Sequence, residues 1–319
     1  MRRIGLLTSG GDAPGMNACI RSIVRSAIYF GFEVFGIKCG YQGLVDDDMI
    51  AMDMRSVSDI VQRGGTMLRT ARCLEMLTVE GQKKALKTLN ERGIDGLVVI
   101  GGDGSFKGAK CLSECGIPTI GIPGTIDNDL AYTDYTLGFD TAVNTCLDVV
   151  NKLRDTMTSH ERISVVEVMG RHCGDIALYT GIASGAEIII VPEVEVDIED
   201  ITMRINRSRV SGKKSNIVLL AEGVCSADEF SKRLQSVTPY SVRSTTIGHI
   251  QRGGSPTMAD RMLAAQFGNK AVRLLNDGIG NRAVGIHKNE IIDMDIIEAV
   301  NMKKKFNYEL YETLQMISM

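Results

Sequence analysis

The strongest constraint on the fold is a regular alternation of short apolar runs with helix-length amphipathic segments. The runs comprise residues 4–7, 34–37, 96–100, 119–122, 164–169, 187–191 and 217–221. In LVVI and EIIIV the apolar residues are successive, which is typical of strands covered on both faces of a parallel sheet. The alternation therefore predicts an open, doubly wound α/β architecture, with ligands at the carboxyl ends of the strands.

Two of the intervening segments have the apolar spacing of long helices. Apolar residues recur at three and four positions in 140–157 and again in 257–276, where Thr257 is a candidate N-cap and Gly278 follows the end. Comparable blocks of alternation precede and follow the first helix, which indicates a second sheet. No Pro- or Ser-rich linker separates the blocks, so we expect two domains that share a cleft, with a boundary near residue 138.

Composition excludes several classes of partner. The 36 basic and 39 acidic residues leave a net charge of −3, so no general basic surface is available for nucleic acid or an anionic membrane. The eight cysteines are scattered without metal-site spacing, as expected for free thiols in a reducing compartment. The N-terminal apolar run is too short for a signal peptide, and no stretch approaches the ~18 apolar residues of a membrane span. We therefore expect a cytoplasmic protein.

Three loops that each follow a predicted strand combine glycine with acidic or hydroxyl residues. They are SGGDAPG at 9–15, GGDGS at 101–105 and PGTIDND at 123–129. Glycine lets backbone amides approach phosphoryl oxygens, and a helix that begins directly afterwards adds the positive end of its dipole. One such loop alone would suit an ordinary turn. Three at successive strand ends indicate phosphate binding, although the chain has neither GxxxxGK[ST] nor GxGxxG.

Carboxylates in these loops suit phosphoryl transfer. Asp103 at a strand end can present its carboxylate to Mg²⁺, and it can also serve as N-cap of a helix that starts at Ser105. Asp127 and Asp129 are two residues apart, so in an extended turn both face one side of a ligand, where one can act as general base for an alcohol. A solvent-exposed turn is the alternative for this segment.

Further polar residues at strand ends and turns suit a sugar phosphate. Arginine forks match phosphate oxygens, and Glu222 and His249 are placed to hydrogen-bond sugar hydroxyls. Each arginine could equally be a solvated surface residue. The arginines concerned are Arg72, Arg162, Arg171, Arg243 and Arg252.

Seven segments together resemble the ATP-dependent 6-phosphofructokinase family in its bacterial form. They are LTSGGDAPGMNA, VSDIVQRGGT, GIDGLVVIGGDGS, IPGTIDNDL, SHERISVVEVMGRHCGD, IVPEVE and TIGHIQRGGSPT, and they extend along nearly the whole chain. The resemblance implies two doubly wound α/β/α sandwich domains with an active-site cleft between them. The larger, ATP-binding domain would comprise 1–138 plus 251–301, and the smaller, fructose 6-phosphate-binding domain 139–250 plus 302–319.

The resemblance also implies a cytoplasmic homotetramer that converts fructose 6-phosphate and MgATP to fructose 1,6-bisphosphate and ADP in glycolysis. The positions that match the ATP and Mg²⁺ motifs are Gly11, Tyr41, Arg72, Cys73, Gly102, Asp103, Gly104 and Ser105, with Asp103 as metal ligand. Those that match the sugar-phosphate motifs are Thr125, Asp127, Asp129, Met169, Gly170, Arg171, Glu222, His249 and Arg252. Arg162 and Arg243 would reach in from a neighbouring subunit, which makes the tetramer a requirement for catalysis. Asp127 matches the general base, and Gly11, Arg72, Thr125 and Arg171 match the other catalytic positions.

An effector site follows from the same resemblance. The positions that match the site for ADP or phosphoenolpyruvate are Arg21, Arg25, Arg154, Gly185, Glu187, Lys213 and Lys214. From spacing alone, Arg21 and Arg25 could equally be charges on a solvated helix face. Met54, Ser211 and Leu77 stand where relatives carry basic residues, so we expect weaker effector responses and somewhat lower ATP affinity.

Two alternatives remain open from the sequence. The first is a pyrophosphate-dependent enzyme, in which relatives carry Asp in place of Gly104 and Lys in place of Gly124. The two glycines favour ATP, because an Asp at 104 would repel the α-phosphate. The second is a catalytically silent, sugar-phosphate-binding regulatory subunit. The presence of Asp103, Asp127 and Arg171 favours an enzyme.

Overall fold

The computed structural model describes residues 2–318, which divide into two compact units. Unit 1 comprises the described part of Met1–Thr141 together with Arg252–Lys304, and unit 2 comprises Ala142–Gln251 together with the described part of Lys305–Met319. The chain passes between units after residues 141, 251 and 304, whereas the expected boundaries follow 138, 250 and 301.

Strands and helices alternate along the chain. The strands are β1 (Arg3–Thr8), β2 (Glu33–Ile37), β3 (Met49–Met52), β4 (Gly96–Gly101), β5 (Thr119–Pro123), β6 (Ile163–Val168), β7 (Ile188–Ile190), β8 (Asn216–Ala221), β9 (Val242–Thr246), β10 (Arg282–His287) and β11 (Glu290–Asp295). The helices are α1 (Met16–Tyr29), α2 (Tyr41–Val45), α3 (Val79–Glu91), α4 (Asp103–Glu114), α5 (Phe139–Thr158), α6 (Asp175–Ser184), α7 (Ile198–Val210), α8 (Ala227–Val237), α9 (Met258–Asn276), α10 (Ile296–Asn301) and α11 (Tyr308–Ile317). Short 3₁₀ helices span Glu75–Leu77 and Gly248–Arg252.

Unit 1 is built on a seven-stranded sheet in the order β11-β10-β5-β4-β1-β2-β3. The strands from β10 to β2 are parallel, and β11 and β3 are antiparallel to their neighbours at the two edges. Helices α2, α3, α4 and α10 share one apolar core with alternate residues of β1 and β4, including Leu7, Leu97 and Val99. Helices α1 and α9 pack against each other and against the sheet outside this core. The sheet is therefore covered on both faces.

Unit 2 has a parallel four-stranded sheet in the order β7-β8-β6-β9. Helices α7 and α8 form a core with Ile188 and Ile190 of β7. Ile189 points to the other face because successive side chains of a strand alternate. There α6 approaches so closely that a Cβ on Gly181 would lie 1.9 Å from Ile189 Cδ1. The predicted α/β/α architecture is therefore confirmed in each unit.

The predicted elements can be compared with those observed. All seven apolar runs form strands, and the two predicted long helices are α5 and α9. Thr257 caps α9 as predicted, since its hydroxyl accepts a hydrogen bond from Asp260 N (3.3 Å). The sequence analysis missed β3, β9, β10 and β11. Three of these are edge strands, which need no continuous apolar run because one edge meets solvent. No helix within residues 2–318 has both the length and the apolar character needed to cross a membrane.

Candidate functional site

The three glycine-containing loops lie side by side in unit 1. They follow β1, β4 and β5, which are adjacent and parallel in the sheet. Backbone hydrogen bonds join them: Ser9 N donates to Ile100 O (2.9 Å), and Gly124 N donates to Gly101 O (2.9 Å). The motifs therefore meet at the carboxyl ends of neighbouring strands, where open α/β sheets bind ligands.

The first two loops lead directly into helices that begin without a side-chain cap. Gly15 precedes α1 and Gly102 precedes α4, and neither helix start is closed by a side chain of the described residues. The starts of α2 and α6 likewise lack a side-chain cap, whereas α3, α7, α8, α9, α10 and α11 are each capped by a side-chain oxygen. Uncapped amides at a helix N-terminus favour an anionic ligand. The third loop differs, because the next helix, α5, starts only at Phe139.

Asp103 is the first residue of α4, and Gly102 is the N-cap. The alternative prediction that Asp103 caps a helix starting at Ser105 is therefore wrong. The Asp103 carboxylate is partly exposed and pairs with Lys107 Nζ at 2.6 Å. Within residues 2–318, no three His, Cys, Asp or Glu side chains form a metal-binding cluster. A single accessible carboxylate nevertheless fits Mg²⁺ that arrives with a nucleotide, because this ion takes most of its remaining ligands from phosphates and water.

Gly104 and Gly124 differ sharply in their surroundings. A Cβ built on Gly104, the second residue of α4, has no protein atom within 4 Å. A Cβ built on Gly124 would lie 2.8 Å from Ile100 Cγ2 and 3.1 Å from Met16 Cε. Internal packing therefore explains glycine at 124 but not at 104, where the free space borders the loop.

Tyr41 supports the second loop from inside the core. It is buried, its hydroxyl donates to Ser105 O (2.6 Å), and a Cβ on Gly108 would lie 2.6 Å from its ring. Burial raises the pKa of the Tyr41 phenol well above its ordinary value, so the hydroxyl remains a donor. Ser105 is buried, Cys73 is half-buried against the same core, and Arg72 is exposed.

The third loop places Asp127 in a buried turn. Asp127 is 1% exposed, and its amide donates to Thr125 Oγ1 (3.2 Å). Thr136 Oγ1 holds the same turn by donating to Thr125 O (2.6 Å). Asn128 has a φ of 51°, so the expectation of an extended turn between Asp127 and Asp129 is wrong. The left-handed residue between the two carboxylates breaks the alternation of a strand.

The guanidinium group of Arg252 lies against the first loop. A Cβ on Gly11 would fall 2.1 Å from Arg252 Nη1, and the same nitrogen is 3.5 Å from Asp12 O. Arg252 and Gly11 are 241 positions apart in sequence, so only the tertiary structure places this cation beside the loop.

In unit 2, a second group of predicted residues lies at the carboxyl ends of three adjacent strands. Met169, Gly170 and Arg171 follow β6, Glu222 follows β8, and His249 follows β9. Arg171 N donates to Glu222 Oε1 (3.0 Å), and Arg171 has a φ of 53°. His249 and Arg171 are exposed, so both side chains are accessible to a ligand.

Arg162 and Arg243 lie at the opposite end of this sheet. Arg162 precedes β6, and Arg243 pairs with Ser164 near the amino end of the same strand. At about 3.3 Å per residue, Arg162 is roughly 23 Å along the strand from Met169. The backbones of Arg162 and Arg171 therefore lie beyond opposite ends of β6.

Three charged residues of the predicted effector site, Glu187, Arg154 and Lys213, form one ionic cluster in unit 2. Glu187 is buried and pairs with Arg154 (3.5 Å) and with Lys213. Arg154 Nη2 also donates to Gly185 O (3.1 Å), whereas Lys214 pairs with Glu161 (2.8 Å).

Glu187 and Lys213 line a pocket of about 470 Å³, together with Ser211. Arg204 and Arg207 of α7 line the same pocket, and sequence reasoning missed both. Their spacing of three positions on a helix ending beside Ser211 was the available signal.

The remaining residues of interest belong to unit 1. Arg21 and Arg25 lie one turn apart on α1, and both are half-buried. Met54 is 44% exposed and Leu77 is 80% exposed. Neither apolar side chain is needed to fill the core.

Comparisons with known proteins agree with one another. The family model described as "Phosphofructokinase" matches residues 3–275. The chain is 60% identical to "ATP-dependent 6-phosphofructokinase" of Clostridium botulinum (strain Loch Maree / Type A3), and 57% identical to the protein of that name from Clostridioides difficile (strain 630). Each alignment spans 318 residues and covers 100% of both chains. The solved phosphofructokinase of Saccharomyces cerevisiae superposes with a TM-score of 0.92 at 33% identity, covering 98% of this chain and 50% of that one.

The glycine loops lie at adjacent strand ends, and each of the two units has an α/β/α architecture. With the match to the family model and the full-length similarity to the clostridial proteins, these findings show that the chain belongs to the phosphofructokinase family.

Proposed function

We propose that this protein transfers the γ-phosphoryl group of MgATP to the 1-hydroxyl of fructose 6-phosphate, giving fructose 1,6-bisphosphate and ADP. The observation that carries the proposal is the meeting of three glycine loops in unit 1, with Asp103 after β4 and Asp127 after β5. The similarity to proteins named ATP-dependent 6-phosphofructokinase supports the same reaction.

Unit 1 would bind the nucleotide. The uncapped starts of α1 and α4 offer backbone amides to phosphates, and the free space at Gly104 leaves room for them. Tyr41 and Ser105 shape the second loop from within. The proposed nucleotide-binding residues are Gly11, Tyr41, Arg72, Cys73, Gly102, Asp103, Gly104 and Ser105.

Asp103 would hold Mg²⁺ together with the nucleotide phosphates. Bound there, the ion would neutralise negative charge on the phosphoryl oxygens. The Asp103–Lys107 pair would then open, which frees the Lys107 ammonium for solvent or phosphate.

Asp127 would act as general base. Its carboxylate would take the proton of the 1-hydroxyl while the hydroxyl oxygen bonds to the γ-phosphorus and the bond to the ADP oxygen breaks. Burial in the turn with Thr125 fixes the position of Asp127 and shields it from water. Arg72, Arg171 and the Gly11 amide would stabilise the charge that develops on the transferred group.

Fructose 6-phosphate would be bound by the polar loops at the carboxyl ends of β5, β6, β8 and β9. The proposed residues are Thr125, Asp127, Asp129, Met169, Gly170, Arg171, Glu222, His249 and Arg252. Since Arg162 lies about 23 Å along β6 from Met169, it would serve the site of a neighbouring subunit, as would Arg243. This argument supports active sites that are shared between subunits, as in the homotetramer that we propose.

The pocket at Glu187 would bind an anionic effector such as ADP or phosphoenolpyruvate. Its lining carries three cations, Lys213, Arg204 and Arg207, against the two carboxylates of Glu187 and Asp200, so one positive charge remains in excess for an anion. Arg154 and Gly185 adjoin Glu187, while Lys214, Arg21 and Arg25 would complete the site in the assembled protein.

A comparison of phosphoryl donors tests the reaction. The purified protein is given fructose 6-phosphate with MgATP or with magnesium pyrophosphate, and fructose 1,6-bisphosphate is measured directly. We expect turnover with MgATP alone. Turnover with pyrophosphate alone would instead establish the pyrophosphate-dependent alternative, and binding of fructose 6-phosphate without turnover by either donor would establish the silent regulatory subunit.

A complementation experiment tests the shared site. Asp127→Asn and Arg162→Ala variants are unfolded together and refolded as a mixture, with each variant refolded alone as control. Mixed tetramers contain some sites with neither change, so we expect activity above that of both controls. No gain on mixing would refute the assignment of Arg162 to a neighbouring subunit.

A further inference from the structure

The side-chain amide of Gln251 is buried and forms three hydrogen bonds. The residue has no exposed surface. Its Oε1 accepts from Met169 N (3.1 Å) and from Cys146 Sγ (3.2 Å), and its Nε2 donates to Gly248 O (3.1 Å). All four residues belong to unit 2.

The orientation of this amide is determined by its partners. Two donors face the oxygen and a carbonyl faces the nitrogen, so a flipped amide would set its NH₂ group against the Met169 amide and its oxygen against Gly248 O. Burial raises the pKa of the Cys146 thiol to about 12, so the thiol remains a donor at neutral pH.

These bonds join two loops that the proposed function assigns to the sugar phosphate. Met169 begins the loop after β6 that carries Arg171, and Gly248 precedes His249 in the 3₁₀ helix after β9. Cys146 of α5 ties the same amide to the helix layer. We propose that Gln251 is a positioning residue that holds the Met169–Arg171 loop and His249 in register for fructose 6-phosphate.

The proposal rests on the proposed function and extends it. Arg171 and His249 are exposed, so the position of each side chain depends on the backbone of its loop, and Gln251 links these two backbones directly through Met169 N and Gly248 O. A displacement of either loop by about 1 Å is enough to reduce productive binding strongly. The buried amide supplies a rigid link because each of its bonds is costly to leave unmade.

Two substitutions separate positioning from general stability. Gln251→Met keeps the shape and removes all three bonds. Gln251→Glu keeps the acceptor for Met169 and Cys146, but its ionised form sets an oxygen against Gly248 O. The protonated form can donate there again. The Cys146 thiol contacts the side chain of residue 251 directly. Within two positions of residue 251 in the sequence, the titratable or charged side chains are those of His249 and Arg252. Asn269→Leu is the control, because Asn269 bonds to Ser26 of α1 and to Arg273 of α9, both in unit 1.

We measure KM for fructose 6-phosphate and for MgATP between pH 6 and 8, and backbone hydrogen exchange without ligand. For Gln251→Met we expect KM for fructose 6-phosphate to rise about tenfold, with less than a twofold change for MgATP. For Gln251→Glu, the KM for fructose 6-phosphate divided by that of wild type should fall as pH is lowered. For Gln251→Met, the same ratio should not change with pH. Exchange should become faster in 169–171 and 248–250 together, and Asn269→Leu should show none of these effects.

The outcomes distinguish the two proposals. A wild-type protein without activity on fructose 6-phosphate and MgATP refutes the proposed function, and faster exchange in both segments still supports the link through Gln251. An unchanged KM for fructose 6-phosphate in Gln251→Met, or faster exchange in one segment alone, refutes the positioning role.

Discussion

Replacing Gly104 with Asp tests where the nucleotide phosphates bind. A Cβ at this position meets no protein atom within 4 Å, and the residue lies in the first turn of α4. An acidic side chain there interacts favourably with the helix dipole, by about 0.3–1 kcal/mol. In the absence of ligand, Gly104→Asp should therefore leave the free energy of unfolding unchanged or slightly higher.

The same substitution should weaken nucleotide binding. A carboxylate about 5 Å from a phosphate charge, at an effective dielectric constant of about 20, costs roughly 3 kcal/mol. That energy corresponds to an increase of roughly 10²-fold in KM for MgATP. Binding of fructose 6-phosphate should change little.

The assay combines steady-state kinetics with thermal unfolding of the unliganded protein. Gly104→Asn controls for side-chain size without charge. Gly124→Ala should show the opposite pattern, because a Cβ there would lie 2.8 Å from Ile100 Cγ2 and destabilise the fold by about 1–3 kcal/mol. A lower melting temperature for Gly104→Asp, or a KM for MgATP within twofold of wild type, would refute the reasoning.

Three further predictions concern other sites. Asp127→Asn should lower kcat about 10²–10⁴-fold with little change in either KM, as steady-state rates will show; an unchanged kcat would exclude Asp127 as the base. Burial raises the pKa of Asp260 from 3.8 to about 6, so the folded state holds this proton more tightly than the unfolded state and protonation stabilises the fold as pH falls through 6. In urea titrations, the free energy of unfolding of wild type relative to Asp260→Asn should rise by about 1.3 kcal/mol from pH 7 to 5, and a constant difference would contradict this pKa. Ser211→Arg should tighten phosphoenolpyruvate binding about three- to tenfold in calorimetry, with Ser236→Arg, on α8, as control; equal affinity in both would argue against the Glu187 pocket as effector site.

Much of the site could be predicted because its chemistry is local. The loops at Gly11, Gly102 and Gly124 are visible as glycine motifs that follow apolar runs, and parallel strands bring their carboxyl ends to one edge. Errors arose where one dihedral angle decided the outcome. Asn128 with its φ of 51° makes the turn after β5 left-handed rather than extended, and α4 begins two residues earlier than expected, which changes Asp103 from a cap to the first helical residue.

Sequence by itself determined the alternation of strands and helices, the positions of the glycine loops and the carboxylates within them, since apolar periodicity and backbone freedom are properties of neighbouring residues. Tertiary structure alone decided which distant residues meet. Arg162 and Arg171 are nine positions apart yet lie at opposite ends of β6, whereas Arg252 contacts Gly11 and Gln251 bonds to Met169 across long stretches of chain. Each residue of a strand adds about 3.3 Å between the two ends of that strand, whereas packing of sheets and helices brings segments that are remote in sequence into contact. Local sequence determines neither the separation of Arg162 from Arg171 nor the contact of Arg252 with Gly11.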